Sequence, residues 1–347
     1  MGDAPRDIVM ARVVAEHRGE CVVLAGGREV AAKVTGKAMF DAEGRESFPV
    51  VGDWVEAALP GDGTLAVITA VRPRATLLAR RGAGAGFNIQ PIAANVDVAF
   101  VIMGLDGDFN LAWLDRYLAL IRQSGARPVV VLSKKDLVDV PQLEERLAQA
   151  AGRAPGVQVV ACAAPSGDGV SAVRALIGEG KTACFVGSSG AGKSTLINAL
   201  VGHALLKTGA VRADDSRGRH VTMVRQLVSL EGGGCIIDTP GMRELALWVD
   251  VEGVAEGFPE IARIAVACRF RDYTHAEEPG CAVRAAVDSG ELDEGTYRSY
   301  RKLRREQEYL ASKVDPGRMQ VRKRRAKWLG REMNRIQESK RRLKGGE

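Results

Sequence analysis

One nine-residue segment constrains this 347-residue chain more than any other. It runs from Gly187 to Thr195 and fits G-x-x-x-x-G-K-[ST], the pattern of a phosphate-binding loop, or P-loop. The apolar run at 182–186 predicts a buried strand before it, and the run at 196–200 predicts a helix after it. Strand, loop and helix in this order are the context that the motif requires. We therefore predict a nucleotide site rather than a chance glycine-rich turn.

The residue types of the P-loop indicate its chemistry. Glycines allow backbone N–H groups to wrap the phosphates, and the following helix N-terminus adds positive potential. We expect Lys193 to reach the β- and γ-phosphates and the Ser194 hydroxyl to hold Mg²⁺. The predicted phosphate-binding residues are Gly187, Ser188, Ser189, Gly190, Ala191, Gly192, Lys193, Ser194 and Thr195.

Length and composition favour a soluble protein of two or three domains, with an ordinary apolar content of 46%. No apolar run approaches the ~20 residues that span a bilayer, and residues 1–7 do not resemble a signal peptide. The six cysteines lack the spacing of a disulfide framework. We expect reduced thiols, a cytoplasmic location and no membrane partner.

The first 72 residues predict an all-β unit. Five short strands separated by turn signals suit a small barrel, of which the OB-fold is the common example. A nucleic-acid contact through the loop 33–45 and simple packing against a neighbouring domain remain equally open. Arg80–Gly86 predicts a flexible connector. The candidate strands are Ile8–Val14, Cys21–Leu24, Glu29–Val34, Asp53–Leu59 and Thr64–Val71.

From residue 96 onward, strands alternate with helices, which predicts a mostly parallel sheet covered on both faces. In such sheets ligands bind at the carboxyl ends of the strands. The predicted strands are 96–103, 128–132, 157–161, 182–186, 226–230 and 234–237, and the predicted helices are 111–124, 142–151, 170–177 and the one after the P-loop.

Three motifs fall at such strand ends. Asp238-Thr239-Pro240-Gly241 could orient the Mg²⁺ shell and approach a γ-phosphate, although alone it is also a good turn. In Ser133-Lys134-Lys135-Asp136, the carboxylate of Asp136 could accept hydrogen bonds from N1 and N2 of guanine and so select GTP over ATP. The alternative for Asp136 is a helix cap. Ala163-Ala164, with Gly167-Asp168-Gly169, could donate a backbone N–H to guanine O6 or form an ordinary turn.

Together these motifs resemble the TRAFAC-class GTPases, but the base-recognition elements precede the P-loop, as in a circularly permuted domain. With the N-terminal barrel and a C-terminal Cys/His cluster, the chain resembles the ribosome small subunit-dependent GTPase A (RsgA) family. The resemblance covers nearly the whole chain, including Gln90–Asp97 and Phe109-Asn110-Leu111.

This resemblance implies GTP hydrolysis stimulated by the small ribosomal subunit during its late maturation. It implies guanine contacts by Ser133, Lys134, Lys135, Asp136, Ala163 and Ala164, and a catalytic set of Lys193, Ser194, Thr222, Asp238 and Gly241. Mg²⁺ would be held through Ser194, Thr222 and Asp238.

The chain departs from the family in the GTPase domain at two positions, Ser133 and Val221. Ser133 replaces Asn or Thr, so we expect weaker bracing of its loop with guanine preference retained. Val221 stands where Thr is common, which leaves Thr222 as the Mg²⁺ candidate. Met242 follows the switch II glycine, where Ras-like proteins have a water-orienting Gln, so intrinsic turnover is expected to be slow. His220 is interpreted as an ordinary loop residue, with a role in the water or ribosome step as the alternative.

The Cys/His segment has the family's zinc spacing, C-x4-C-x-H-x5-C, with Tyr273 at the second position. Structural zinc sites use four ligands, of which Cys268, His275 and Cys281 remain. Asp272 or a water could complete the set. The alternative is a metal-free cluster with Tyr273 packing the gap.

The C-terminal tail is strongly basic. Residues 298–345 hold 18 Lys/Arg against 5 Asp/Glu, a local balance of +13 within a net charge of +6. The cations around Arg322-Lys323-Arg324-Arg325, on a predicted helix at 318–344, form no single stripe. This spread makes a coiled coil or a membrane-surface helix less favourable. The local charge favours rRNA contact, with a solvated charged helix as the alternative.

The predicted fold is a multidomain α/β protein with an OB-like β-barrel at 1–75, a circularly permuted P-loop GTPase domain at 76–250, and a zinc-type helical domain with a basic tail at 251–347. GTP/GDP and the small subunit with its rRNA are the expected partners of a monomer. The alternatives are a P-loop ATPase or kinase, an RNA-binding assembly factor with a structural nucleotide, and a GTPase acting on the large subunit.

Overall fold

The computed structural model describes residues 7–17, 20–35, 47–59, 65–81, 89–203, 225–238, 254 and 257–314. The first five strands pair in the cyclic order β1-β2-β3-β5-β4-β1, with β3 and β5 parallel, so this part of the sheet closes into the predicted barrel. Alternate side chains such as Val13, Val23 and Val55 point inward and are fully buried. The strands are β1 (Asp7–His17), β2 (Glu20–Ala25), β3 (Arg28–Val34), β4 (Trp54–Leu59) and β5 (Ala66–Val71).

An antiparallel hairpin of β6 (Leu77–Arg81) and β7 (Ile89–Ala94) follows the barrel. The predicted connector at Arg80–Gly86 is wrong for Arg80 and Arg81, which pair with the backbone of β7. Leu78 and Ile92 are almost fully buried, so the apolar ends of the hairpin, not the glycines between them, decide its structure. Residues 82–88 lie outside the described part of the chain.

The predicted mostly parallel sheet is confirmed. Its parallel part has the strand order β10-β9-β8-β11-β13, and β12 pairs antiparallel with β13. Alternate residues of β8 enter two cores on opposite faces, which is why this strand is apolar throughout. The strands are β8 (Val98–Gly104), β9 (Arg127–Ser133), β10 (Gln158–Cys162), β11 (Thr182–Val186), β12 (Arg225–Ser229) and β13 (Cys235–Asp238). The helices are α1 (Leu111–Ser124), α2 (Val140–Arg153), α3 (Val170–Ile177) and α4 (Lys193–Val201).

The barrel and the α/β part share one sheet, because β1 pairs antiparallel with β12. Arg225 on β12 forms an ion pair of 3.0 Å with Glu16 on β1. Arg12 on β1 donates to the Thr182 hydroxyl at 2.6 Å, at the start of the strand that leads into the P-loop. The barrel is thus linked both to β11, the strand before the P-loop, and to β12, a strand that follows it in the chain.

The C-terminal region contributes α5 (Pro259–Ala265), α6 (Ala282–Asp288) and α7 (Glu294–Val314). The helix predicted at 291–312 is therefore present with shifted bounds. It packs against the α/β part, where Arg153 of α2 binds both carboxylate oxygens of the buried Asp115 of α1 and also pairs with Asp293. The helix predicted at 318–344 lies outside the described residues. Among those described, no helix is long and apolar enough to cross a membrane.

Candidate nucleotide site and Cys/His cluster

The P-loop requires glycine at its two ends. Gly187 has φ +147°, and a Cβ there would lie 2.3 Å from the Ile102 carbonyl oxygen. Gly192 has φ +87° and caps the N-terminus of α4 without a side-chain hydrogen bond. The backbone therefore follows a path that bulkier residues would strain. The loop directs the start of α4 toward the carboxyl edge of the sheet, where the N–H groups of a helix N-terminus can stabilise an anion.

The two predicted phosphate and Mg²⁺ residues stand in the first turn of α4. Lys193 is its first residue, and its ammonium donates to the carbonyls of Gly187 (2.8 Å) and Ser188. Ser194 follows it and is half-buried. Lys193 therefore folds over the loop that the sequence assigns to the phosphates.

The segment 133–136, called the base loop below, touches the P-loop directly. Ser133 ends β9 and is 3% exposed. Its hydroxyl donates at 2.6 Å to the carbonyl of Ala191, and Met103 O lies at 3.2 Å. The hydroxyl has a single proton, so the shorter contact is its main hydrogen bond. Elements 58 positions apart in the chain, Ser133 and Ala191, thus share one site.

The residues after Ser133 turn away from the strand. Lys134 adopts the left-handed conformation (φ +62°) and pairs with Asp106. Asp136 lies exposed in a 3₁₀ turn, Lys135–Leu137. The alternative of Asp136 as a helix cap is wrong, since α2 is capped by Asp139, which accepts from Gln142 N at 2.9 Å. The carboxylate of Asp136 is therefore not committed to capping.

The loop after β10 approaches the base loop as well. Lys135 forms an ion pair of 2.7 Å with Asp168. The N–H of Ala163 donates to the carbonyl of Asp168 at 2.8 Å. That N–H is already used, so of the two alanines predicted to meet guanine O6, Ala164 is the better donor candidate.

Asp238 ends β13 at the same edge of the sheet as the P-loop. Its predecessor Ile237 is level with Cys184 on the parallel neighbour β11, three positions before Gly187. The structure thus brings Asp238 beside the P-loop strand. Thr222, Gly241, His220 and Met242 lie outside the described residues.

Two carboxylates at this edge were missed by the sequence analysis. Asp106 contacts Lys134 of the base loop, and Asp108 accepts a hydrogen bond from the Ser188 hydroxyl of the P-loop. Both follow β8, an apolar strand that ends at the ligand-binding edge. Their place after an apolar strand could have marked them in the sequence, but the segment matches no known nucleotide-binding motif.

The three predicted zinc ligands lie together. Cys268 Sγ is 3.7 Å from His275 Nδ1 and 4.0 Å from Cys281 Sγ, and the last two atoms are 3.4 Å apart. Tetrahedral zinc would separate neighbouring thiolate and imidazole ligands by about 3.6–3.8 Å. The three side chains therefore fit three corners of a zinc site.

The expected completion of this cluster by Asp272 is not supported, and Tyr273 packs against it. Tyr273 is 7% exposed and donates its hydroxyl to the Pro279 carbonyl at 2.8 Å, so it packs and does not face the cluster as a free oxygen. Asp272 is exposed and lies outside the group of ligand atoms. Among the described residues the cluster offers three ligand atoms. A water as fourth ligand and a metal-free cluster both stay predictions.

The carboxylate of Glu278 holds the backbone on both sides of His275. Glu278 accepts hydrogen bonds from the N–H and hydroxyl of Thr274 (2.7 and 2.6 Å) and from Ala276 N (2.7 Å), on either side of His275. Burial opposes ionisation of Glu278, but these bonds lower its pKa to about 2. His275 has φ +57°. Burial, followed by the nearby Arg304, lowers the pKa of His275 and favours the neutral, metal-binding imidazole.

Comparison with known proteins agrees with this geometry. The family described as RsgA GTPase matches residues 71–248. The chain is 46% identical over 323 residues to a protein of Opitutus terrae named small ribosomal subunit biogenesis GTPase RsgA, covering 90% of this chain and 87% of that protein. The crystal structure of YjeQ from Thermotoga maritima is 26% identical, with a TM-score of 0.67 over 87% of this chain and 99% of that one.

A second solved structure supports the permuted fold. YloQ, described as a circularly permuted GTPase, has a TM-score of 0.64 over 87% of this chain and 95% of that one, at 24% identity. The order of the elements, the meeting of the base loop with the P-loop and these similarities lead to one conclusion. The chain belongs to the RsgA family of circularly permuted GTPases.

Proposed function

We propose that this protein hydrolyses GTP to GDP and phosphate during biogenesis of the small ribosomal subunit, with the base loop and the P-loop as its nucleotide site. One observation carries this proposal: the 2.6 Å hydrogen bond from Ser133 to Ala191 joins the predicted guanine and phosphate elements. The family membership supports the reaction, and the named role of the Opitutus terrae relative supports the particle.

In the proposed reaction, water attacks the γ-phosphorus in line as the bond to the β-phosphate oxygen breaks. Lys193 exchanges its carbonyl partners in the P-loop for phosphate oxygens, and the loop N–H groups bind the same oxygens. Asp136 accepts the N1 and N2 hydrogens of guanine, while Ala164 donates to O6. Mg²⁺, the usual cofactor of such reactions, would neutralise charge on the phosphates, with Ser194, Thr222 and Asp238 as its protein contacts and Gly241 near the γ-phosphate.

The attacking water needs a polar group to orient it, and this chain has none at the position after the switch II glycine. Met242 follows the switch II glycine, and a thioether cannot orient water as Gln does. We therefore expect slow intrinsic hydrolysis and stimulation by the small subunit. The alternative of a nucleotide with only a structural role predicts no such stimulation.

Zinc at the Cys/His cluster is the second part of the proposal. Cys268, His275 and Cys281 would hold the ion with water as fourth ligand, at lower affinity than a four-residue site. Tyr273→Cys restores the family pattern. It should slow zinc release to a chromogenic chelator at least tenfold, while Tyr273→Phe, which keeps the ring, should not. Equal release from both variants would contradict zinc binding at this cluster.

The C-terminal region is the proposed rRNA contact. Within the described chain, α7 already presents Arg298, Arg301, Lys302 and Arg305 along a groove of about 550 Å³ that Ala276 and Glu277 of the Cys/His segment also line. Phosphate neutralisation by such cations gives affinity that falls steeply with salt. We propose a monomer acting in the cytoplasm, where small subunits are assembled.

Nucleotide hydrolysis with purified small and large subunits added separately tests this function. We expect stimulation of GTP hydrolysis by the small subunit only, and no competition by excess ATP. Stimulation by the large subunit alone would contradict the proposed particle. Equal use of ATP would favour a P-loop ATPase, and an unchanged rate with either subunit would favour the structural role of the nucleotide.

A further inference from the structure

The segment 104–110, between β8 and α1, carries two carboxylates that face the two nucleotide loops separately. Asp106 pairs with the ammonium of Lys134 in the base loop. Asp108 accepts a hydrogen bond from the hydroxyl of Ser188 in the P-loop. Resting on the nucleotide site proposed above, we infer that Asp106 and Asp108 are positioning residues for GTP. Asp106 acts on the base through Lys134, and Asp108 acts on the phosphates through Ser188.

Lys134 needs a partner to hold it in place. Its backbone is in the left-handed region, which residues other than glycine rarely adopt. Its Cε lies 3.9 Å from the position of a Cβ built on Gly192, so its methylene chain passes beside the P-loop. When Asp106 draws the ammonium back, the apolar part of the side chain is left to cover the base. Without Asp106 this long side chain would sample other rotamers.

Asp108 acts on a different part of the site. Its carboxylate accepts a charge-assisted hydrogen bond from the Ser188 hydroxyl, and the Ser188 carbonyl accepts from the ammonium of Lys193. The position of the loop and of its lysine therefore depends on Asp108. A carboxylate beside a triphosphate also repels it. Removing Asp108 would therefore lower triphosphate affinity if the residue positions the loop, and raise it if the residue only repels the phosphates.

Gly104 makes room for this arrangement. A Cβ there would lie 2.5 Å from Asp106 Oδ1, but at ordinary contact distance from Asp108 Cβ (3.5 Å) and from Ala191 Cα (3.7 Å) in the P-loop. Because Gly104 has no left-handed φ, alanine fits its backbone. Gly104→Ala should therefore displace the Asp106 carboxylate while every nucleotide-facing side chain stays chemically intact.

Two probes separate base from phosphate. Guanosine and inorganic triphosphate are each titrated to displace a fluorescent GDP analogue from the full-length protein. Asp106→Ala should lower the affinity for guanosine about tenfold and change the affinity for triphosphate by no more than about twofold. Asp108→Ala should lower the affinity for triphosphate about tenfold and leave that for guanosine within about twofold. Gly104→Ala should behave as Asp106→Ala. Asp108→Asn keeps an acceptor for Ser188 and should restore most of the triphosphate affinity. Glu144→Gln, at an exposed carboxylate of α2, is the matched control.

Steady-state kinetics give the independent readout. Asp106→Ala should raise KM for GTP with little change in kcat, whereas Asp108→Ala should lower kcat because Lys193 loses its place at the phosphates. Tighter triphosphate binding by Asp108→Ala would show repulsion alone and overturn the inference. So would equal weakening of both probes by either variant, or no weakening of the probe assigned to that variant. Failure of the wild-type protein to bind the fluorescent GDP analogue would instead refute the nucleotide site itself.

Discussion

At the scale of single residues, Ser133 carries the contact between the base loop and the P-loop. Ser133 stands where the family has Asn or Thr, and its hydroxyl makes a 2.6 Å hydrogen bond to Ala191 O. That it braces the loop more weakly than Asn or Thr stays a prediction. Ser133→Ala would leave that carbonyl without its donor, at a cost of about 1–1.5 kcal/mol. We expect GDP and GTP affinity, measured by fluorescence competition, to fall about five- to tenfold.

Ser133→Thr is the control, because it keeps the hydroxyl. Its neighbour Gly192 has no side chain, and even a Cβ built on Gly192 would lie 3.7 Å from Ser133 Cβ, an ordinary contact. Affinity close to that of wild type is expected for this variant. If alanine and threonine variants bound GTP equally well, the hydrogen bond would have no part in holding the loops together.

Glu278 gives a pH-dependent prediction at the same scale. Its pKa in the folded protein is about 2, below its ordinary value of 4.5. A lowered folded pKa stabilises the protein above the unfolded pKa, and this contribution, about 3 kcal/mol at most, is lost as pH falls from 4.5 toward 2. Between pH 5.5 and pH 7, Glu278→Gln should therefore have a lower Tm than the wild type. The difference in Tm between the two proteins should shrink below pH 4.5. A gap of constant size down to pH 3.5 would contradict this.

At the scale of elements, α2 shows which of two neighbouring aspartates has a structural role. Asp139 accepts from Gln142 N at the start of the helix, whereas Asp136 lies in the preceding turn. Asp139→Ala should lower the free energy of unfolding by about 1 kcal/mol. Its GTP affinity should not change. Thermal unfolding and nucleotide titration of this variant check both statements, and a change in guanine preference would contradict the assignment.

Elements with a strong local signal could be predicted from the sequence. Helices α1 and α3 have the predicted bounds, because an Asn110 cap precedes the first and glycines bracket the second. The hairpin β6–β7 could not be predicted in the same way, since its strands are short and a glycine-rich segment separates them. Its stability comes from burial of Leu78 and Ile92 in a core built by distant parts of the chain.

The residues of the candidate site likewise fall into those that a local motif predicts and those that depend on contacts between distant segments. Ser133, Lys134, Lys193 and Asp238 could be placed from motifs at strand ends, because the topology of a parallel sheet brings those ends together. Asp106 and Asp108 could not, because their partners are side chains on other loops. The use of the Ala163 N–H by Asp168 likewise depends on the local turn.

At the scale of the whole molecule, the order of elements matters more than any one of them. The permutation places the base loop before the P-loop, and strand β12 then joins the GTPase sheet to β1 of the barrel. The sequence predicted both units but not their common sheet, since pairing of β1 with β12 joins segments about 210 residues apart. The ion pair of Arg225 with Glu16 reinforces this junction.

The central claim is that these separated loops form one pocket for guanosine triphosphate, and Asp136→Asn tests it most directly. An asparagine amide can donate to the O2 of xanthine, whereas guanine presents donors there that only a carboxylate accepts in pairs. Affinity for GTP should fall at least about a hundredfold, and xanthosine triphosphate should become the better ligand. Unchanged GTP affinity, with no gain for xanthosine triphosphate, would contradict the account.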